Sequence, residues 1–285
     1  MGISGVEDTK FRKNKLIRIK DHLIDFSTPK VMGIVNATPD SFFEQSRMNA
    51  DKHLLKHIEQ MIVDGADIID IGGVSTRPGA NLVSIEEERM RVIPAIQSIS
   101  KAFPELIISI DTFRSEVADE AINCGASLIN DISGWQFDER IIDVAKSYHV
   151  PYILMHCAGT FETMHQSTLD DSYFFRDIML YFSNKLSQLA ERGIGDVFID
   201  PGFGFSKTLE QNFALLDFLP EFAVLERPIL VGLSRKSMIY KRLQTTADAA
   251  LNGTTILNTK AILSGASILR VHDVKEAKEI IRLLN

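Results

Sequence analysis

Cysteine is nearly absent from this chain. Cys124 and Cys157 are the only two in 285 residues, and they form no C-x-x-C pair. They read as free thiols of a reduced, cytoplasmic protein rather than as a disulfide scaffold. No H-E-x-x-H or clustered Cys/His pattern exists, which removes the common zinc sites. Basic residues are also in deficit. Lys and Arg number 31 against 38 Asp and Glu, a formal charge of −7. Nucleic acid and acidic membrane surfaces are therefore not expected partners. Any anionic ligand must be held by a local basic cluster. No apolar run is long enough to span a bilayer. The opening residues, MGISGVEDTKFRKNKLIRIK, lack the apolar core of a signal peptide. Their Met-Gly start has no Ser or Thr at position six, so neither a leader nor a myristoyl anchor is expected. A Pro/Gly/Ser-rich linker, a charge block and a low-complexity segment are all missing, which favours one domain.

What is present is a repeat. Short apolar runs at Val31–Val35, Ile68–Ile71, Leu106–Ile110, Ser127–Ile129, Tyr152–Met155, Val197–Ile199, Ile229–Val231 and Ile268–Val271 alternate with helical patterns. The helices are expected at Lys52–Asp64, Ile85–Ala102, Ser115–Asn123, Asp138–Tyr148, Tyr173–Arg192, Leu209–Phe218, Ala247–Leu263 and Val274–Leu284. Continuous apolar strands belong to a parallel sheet covered on both faces. Eight such units fit an α/β fold of the closed (β/α)8 TIM barrel type, with residues 1–30 as a short N-terminal extension and 31–285 as the barrel. A doubly wound open sheet is the alternative. The strands end on Asn36, Gly72-Gly73, Asp111, Asn130, His156, Asp200, Gly232 and Arg270 with His272. In a barrel these ends meet on the face that carries the active site.

Several loops carry candidate chemistry. IGGVSTRPGA (71–80) sets Thr76 and Arg77 beside glycines, as a phosphate site or as a plain Pro-Gly turn. Asp111, Asn130 and Asp131 could together read the edge of a nitrogen heterocycle. Asp111 and Asp131 could equally cap the helices that follow, and for Asp131 capping is the favoured reading. In IDPGFGFSKT (199–208) Asp200 precedes two Gly-Phe pairs. This is no dinucleotide fingerprint. Its rings either face a flat ligand or plug the mouth. VGLSRKSMI (231–239) lacks the second glycine of a nucleophile elbow and the Gly-Lys-Ser of a P-loop. Lys236 could form a Schiff base, donate to a ligand, or sit in solvent. Arg270 and His272 share one side of an extended segment and suit an anion. His156 and His165 read as ordinary polar residues.

Taken in order, NATPDSF, GGVSTRPGA, IDTF, NDISG, DPGFGF, GLSRKS and RVHD, spread over residues 31 to 273, resemble the dihydropteroate synthase family of pterin-binding barrels. Each motif alone is weak, and seven in order are specific. The resemblance implies that p-aminobenzoate displaces pyrophosphate from 6-hydroxymethyl-7,8-dihydropterin diphosphate, with Mg²⁺ and in a homodimer. It implies that Asp111, Asn130, Asp200 and Lys236 grip the pterin and that Met155 packs on it. Asn36, Thr76, Arg77, Arg270 and His272 would hold the diphosphate, with Asn36 on the metal. Phe42, Thr76, Pro78, Phe205 and Ser237 would frame p-aminobenzoate. In the family the carbon–oxygen bond breaks early, and an anionic Asp111 suits the resulting pterin cation.

The chain departs from the family at DSFFEQS, where DSFSDGG is usual, and at Val74, where a glutamate is usual. Both touch loop closure rather than the pterin site. Three rivals remain open. A methyltetrahydrofolate-binding methyltransferase domain would need no diphosphate site. An aldolase would use Lys236 covalently. A non-catalytic folate-binding homologue would release no pyrophosphate.

Overall fold

The structure, a computed structural model, describes residues 15–37, 47–76, 79–80, 82–166 and 169–284. Strands β1 (Leu16–Ile19) and β2 (His22–Asp25) form an antiparallel hairpin. Then strands and helices alternate. They run β3 (Lys30–Asn36), α1 (Arg47–Asp64), β4 (Ile68–Gly72), α2 (Ile85–Ala102), β5 (Ile107–Asp111), α3 (Ser115–Asn123), β6 (Leu128–Asp131) and α4 (Ile141–Tyr148). They continue as β7 (Tyr152–Met155), α5 (Phe174–Glu191), β8 (Val197–Asp200), α6 (Leu209–Phe218), a 3-10 turn (Leu219–Leu225), β9 (Leu230–Val231), α7 (Ser237–Arg242), α8 (Leu251–Leu263), β10 (Ile268–Val271) and α9 (Val274–Leu284).

The strands of the repeat form one eight-stranded parallel sheet in the order β8-β7-β6-β5-β4-β3-β10-β9. A parallel bridge between Ile199 and Ile229 joins its two edges. This is the expected (β/α)8 barrel. The crossover helices start where local chemistry supports them. Ser84 accepts from the Glu87 amide at the head of α2, and three glutamates fill that first turn, which suits the helix dipole. Thr208 and Gln211 cap α6 reciprocally. Three helices begin later than the sequence pattern suggests: α4 at Ile141 rather than Asp138, α5 at Phe174 rather than Tyr173, and α8 at Leu251 rather than Ala247. Asp138 is instead drawn across to α3, where its Oδ2 accepts from the Ser115 amide at 2.9 Å.

Inside the barrel, the lowest layer is apolar. Met32, Ile68, Leu128, Ile153, Phe198, Leu230 and Ile268 pack there with Ile17, Ile19 and Phe26 of the hairpin segment. Phe26 meets Phe198 edge to face, ring centroids 4.8 Å apart. Polar ties hold the hairpin under the barrel: Arg18 N donates to Asp196 at 3.0 Å, and Lys20 Nζ to the Pro104 carbonyl at 2.8 Å. The larger apolar core lies between the sheet and the surrounding helices. Among the described residues, no helix is long and apolar enough to cross a membrane.

Candidate active site

Side chains two apart on a strand face the same way. Stepping up by two from the apolar layer gives Asp70, Asn130, Met155, Asp200 and Arg270, all from different strands. The upper barrel therefore changes character within about 6.6 Å, the rise of two strand residues.

Arg270 lies at the centre of this layer. Its Nε donates to Asp70 Oδ2 and its Nη2 to Asp111 Oδ2, both at 2.6 Å. Asp70 Oδ2 also accepts from Asn130 Nδ2 at 3.0 Å. Asp70 is fully buried, and its Oδ1 has no partner among the described residues. The side chain of Asp111 is 13% exposed. Burial raises its pKa, Arg270 pulls it down, and Asp70 pushes it up again. The reading of Asp111 as a helix cap does not hold, because its carboxylate is turned to Arg270 and α3 has no side-chain cap.

Asp200 ends β8 and accepts from the Gly202 amide through Oδ1 at 2.8 Å. Burial raises its pKa against the attraction of Lys236. Lys236 donates to the Phe203 carbonyl, and its Nζ lies 4.9 Å from the Phe205 ring centroid. Burial lowers the Lys236 pKa to about 8, with Asp200 opposing. The loop that follows Asp200 is tightly bound. Gly202 has φ +73, and a Cβ there would fall 2.0 Å from the His156 carbonyl oxygen, so only glycine fits. Buried Lys207 donates to the Gly202 and Phe205 carbonyls, both at 3.0 Å, and pairs with His156 Nδ1 at 3.1 Å.

Met155 is buried in a small apolar cluster with Phe113, Ile132, Cys157, Met164 and Phe205. This cluster walls one side of the polar layer. Ser237 opens α7, half-buried, directly after Lys236. Asn36 is exposed at the end of β3, where its backbone pairs with Gly72. Half-buried Thr76 follows β4. His272 is exposed just past β10. Ser234 Oγ accepts from the His272 amide at 3.2 Å and lies 3.0 Å from Nδ1. Phe42, Arg77 and Pro78 lie outside the described residues.

Asp111, Asn130, Asp200, Lys236 and Arg270 are thus brought together, with Met155 and Phe205 beside them. Arg270 and His272, expected on one side of the last strand, have different partners in the fold. Arg270 turns into the barrel toward carboxylates, whereas His272 joins Ser234 at the rim. Asp131 does not belong to the site. It is buried and accepts from Ser133 N and Trp135 N at 2.7 Å and from the Tyr152 hydroxyl, so it fixes a turn rather than capping α4. Arg235 is likewise structural, forked onto Asp273 at 2.9 and 2.8 Å. His156, expected to be an ordinary polar residue, is buried and pairs with Lys207. His165 is not ordinary. It stands at the mouth, stacked on Phe205. Sequence reasoning missed Asp70, although a charge inside the run IIDIG was a usable signal. It also missed Lys207.

The chain that forms this barrel matches known proteins. Residues 32–272 match the model of the pterin binding enzyme family. The dihydropteroate synthase of Escherichia coli K12 is 42% identical over 263 residues, 92% of each chain. This chain belongs to the dihydropteroate synthase family of pterin-binding enzymes. The Synechocystis dihydropteroate synthase is 43% identical, over 89% of this chain and 88% of that one. A crystal structure of the Yersinia pestis dihydropteroate synthase with a sulfonamide drug complex superimposes with a TM-score of 0.86 at 37% identity, covering 94% of this chain and 98% of that one. The Xanthomonas albilineans dihydropteroate synthase with 4-aminobenzoic acid gives 0.86 at 33% identity, over 94% and 96%. The chain is a transferase of folate biosynthesis that joins p-aminobenzoate to 6-hydroxymethyl-7,8-dihydropterin diphosphate and releases pyrophosphate.

Proposed function

We propose the following division of labour for that reaction in this barrel. The pterin ring lies in the polar layer. Its amino-pyrimidinone edge offers donors and acceptors side by side, which carboxylates, an amide and an ammonium match. Asp200 uses one oxygen on the Gly202 amide and keeps the other for a ring donor. Asn130 and Asp111 face the same space, and Lys236 donates from the loop side. Met155 packs against the ring face. The observation that carries this reading is the convergence of Asp111, Asn130, Asp200 and Lys236 around Arg270, one layer above a wholly apolar barrel floor.

The diphosphate points out of the mouth toward Asn36, Thr76, Arg77, Arg270 and His272. Arg270 commits two N–H groups to Asp70 and Asp111 and has others for a phosphate oxygen. Asn36 fits Mg²⁺: it is a neutral amide oxygen, exposed, on a rigid strand end, and Mg²⁺ takes few protein ligands beside phosphate and water. When bound there, the cation would neutralise charge on the departing pyrophosphate. As the carbon–oxygen bond breaks, positive charge on the pterin is met by Asp111. The amine lone pair of p-aminobenzoate then forms the carbon–nitrogen bond, and its surplus proton leaves with solvent or pyrophosphate. Phe42, Pro78, Thr76, Phe205 and Ser237 frame the aryl ring.

A second copy of the chain is the proposed partner. Ile256, Leu263 and Leu283, on α8 and α9, are large, apolar and exposed, which supports it. Sedimentation of a dimer would agree, and a monomer at all concentrations would not.

The test of the reaction is pyrophosphate release requiring p-aminobenzoate, dihydropterin diphosphate and Mg²⁺ together. Release independent of p-aminobenzoate would contradict it. Calorimetric titration adds the order of binding. p-Aminobenzoate should bind more tightly with pyrophosphate and Mg²⁺ present than without them, because those ligands organise the loops that carry Phe42 and Pro78.

A further inference from the structure

His165 lies in the long connection between β7 and α5, 89 residues from Thr76 and 39 from Gly204. Its Nε2 is 2.7 Å from the Thr76 carbonyl oxygen, and its Nδ1 is 3.3 Å from that of Gly204. Its ring stacks on Phe205, centroids 5.2 Å apart and planes 26° from parallel. One side chain therefore joins three connections at the mouth: those after β4, β7 and β8.

The His165 end of this bridge is anchored. Met164, its neighbour, is buried, and its carbonyl accepts from the Ser206 amide at 2.7 Å and from Ser206 Oγ at 3.1 Å. Ser206 Oγ also accepts from the Ala158 amide at 3.0 Å. The β7 and β8 connections thus form one hydrogen-bonded body, and the His165 ring projects from it. The Thr76 carbonyl oxygen can only accept, so His165 Nε2 donates to it.

We propose that His165 is a positioning residue for the aryl amine. It latches the β4 connection, at Thr76, to the fixed β7–β8 body and holds the Phe205 ring at the angle the substrate meets. This rests on the assignment of Thr76 and Phe205 to the p-aminobenzoate pocket. Asp111, Asn130, Met155 and Asp200 sit on strand ends that His165 does not touch, so its effect falls on the second substrate.

Three variants separate the hydrogen bond from the stack. His165→Ala removes both. His165→Phe keeps a ring on Phe205 and loses the donor. His165→Gln loses the ring and keeps an amide donor able to reach Thr76. Steady-state kinetics are measured for each substrate, with thermal unfolding alongside. His165→Ala should raise KM for p-aminobenzoate about three- to tenfold, the range of one lost hydrogen bond. KM for dihydropterin diphosphate and the unfolding midpoint should stay at wild-type values. His165→Phe should behave as the alanine variant, and His165→Gln should recover most of the loss. An unchanged KM for p-aminobenzoate in an active protein, an equal rise for both substrates, or a wild-type His165→Phe would overturn the latch. A wild-type protein with no p-aminobenzoate-dependent pyrophosphate release would overturn the reaction itself, and the two failures are told apart by that control.

Discussion

The two ends of this barrel are built from the same strands and differ in almost every physical respect. Ile68, Leu128, Phe198 and Ile268 fill the floor, and Asp70, Asn130, Asp200 and Arg270 stand two residues above them. The floor is sealed by a hairpin whose Ile17, Ile19 and Phe26 pack against it. The upper layer places charges close together in a half-dry space, where one guanidinium holds two carboxylates. An apolar layer contributes through burial. A buried ion network costs desolvation that its own attraction only partly offsets, so it is poor evidence for stability and good evidence for function. The contrast assigns stability to one end and chemistry to the other.

The largest effect that should separate the ends is at the floor. Phe198→Ala opens a cavity against Phe26 and should lower stability by about 3–5 kcal/mol. Both KM values should stay at wild type while the protein is folded. Chemical denaturation and kinetics on the same sample check this. A changed pterin KM would mean that the two layers are coupled.

At the mouth the pattern should invert. Asp111→Asn should cut kcat/KM for dihydropterin diphosphate about tenfold to a hundredfold, the range for a hydrogen bond to a charged group. Its pH profile sharpens the point. Burial holds the Asp111 proton above the usual carboxylate range, so the free enzyme should gain activity as pH rises through that raised value. The asparagine variant should lack this rising limb.

The smallest effect is on the alkaline side. Lys236 carries its proton up to about pH 8 in the empty site. With the charged form as the donor, kcat/KM should fall above that pH. Lys236→Ala should be weak and lack the falling limb. Reductive trapping of substrate on Lys236 would instead favour covalent chemistry.

The same contrast explains what could be read in advance. Polar residues at strand ends pointed to a mouth, and they proved to converge: Asp111, Asn130, Asp200 and Arg270 come from four strands. Asp70 escaped notice because IIDIG was weighed as a continuous apolar run, whereas its two faces differ: Ile68, Asp70 and Gly72 form one, Ile69 and Ile71 the other. Asp131 and Asp111 look alike in sequence, each at the end of a strand. Their separation needed the positions of Tyr152 and Arg270, which no local pattern carries. His165 and Lys207 depend on partners across loops, and their neighbours in sequence hold no hint of them.

The measurement that bears most directly on the two-ended barrel is calorimetric titration of dihydropterin diphosphate into the Asp200→Asn variant, with thermal unfolding of the same protein. Asp200 favours its proton in the fold, so ionising it costs stability as pH rises past the ordinary carboxylate range, and asparagine takes that cost away. The account predicts an affinity about tenfold to a hundredfold weaker and a midpoint at neutral pH equal to or above wild type. Unchanged affinity with a lowered midpoint would contradict it, because Asp200 would then belong to the scaffold and not to the site.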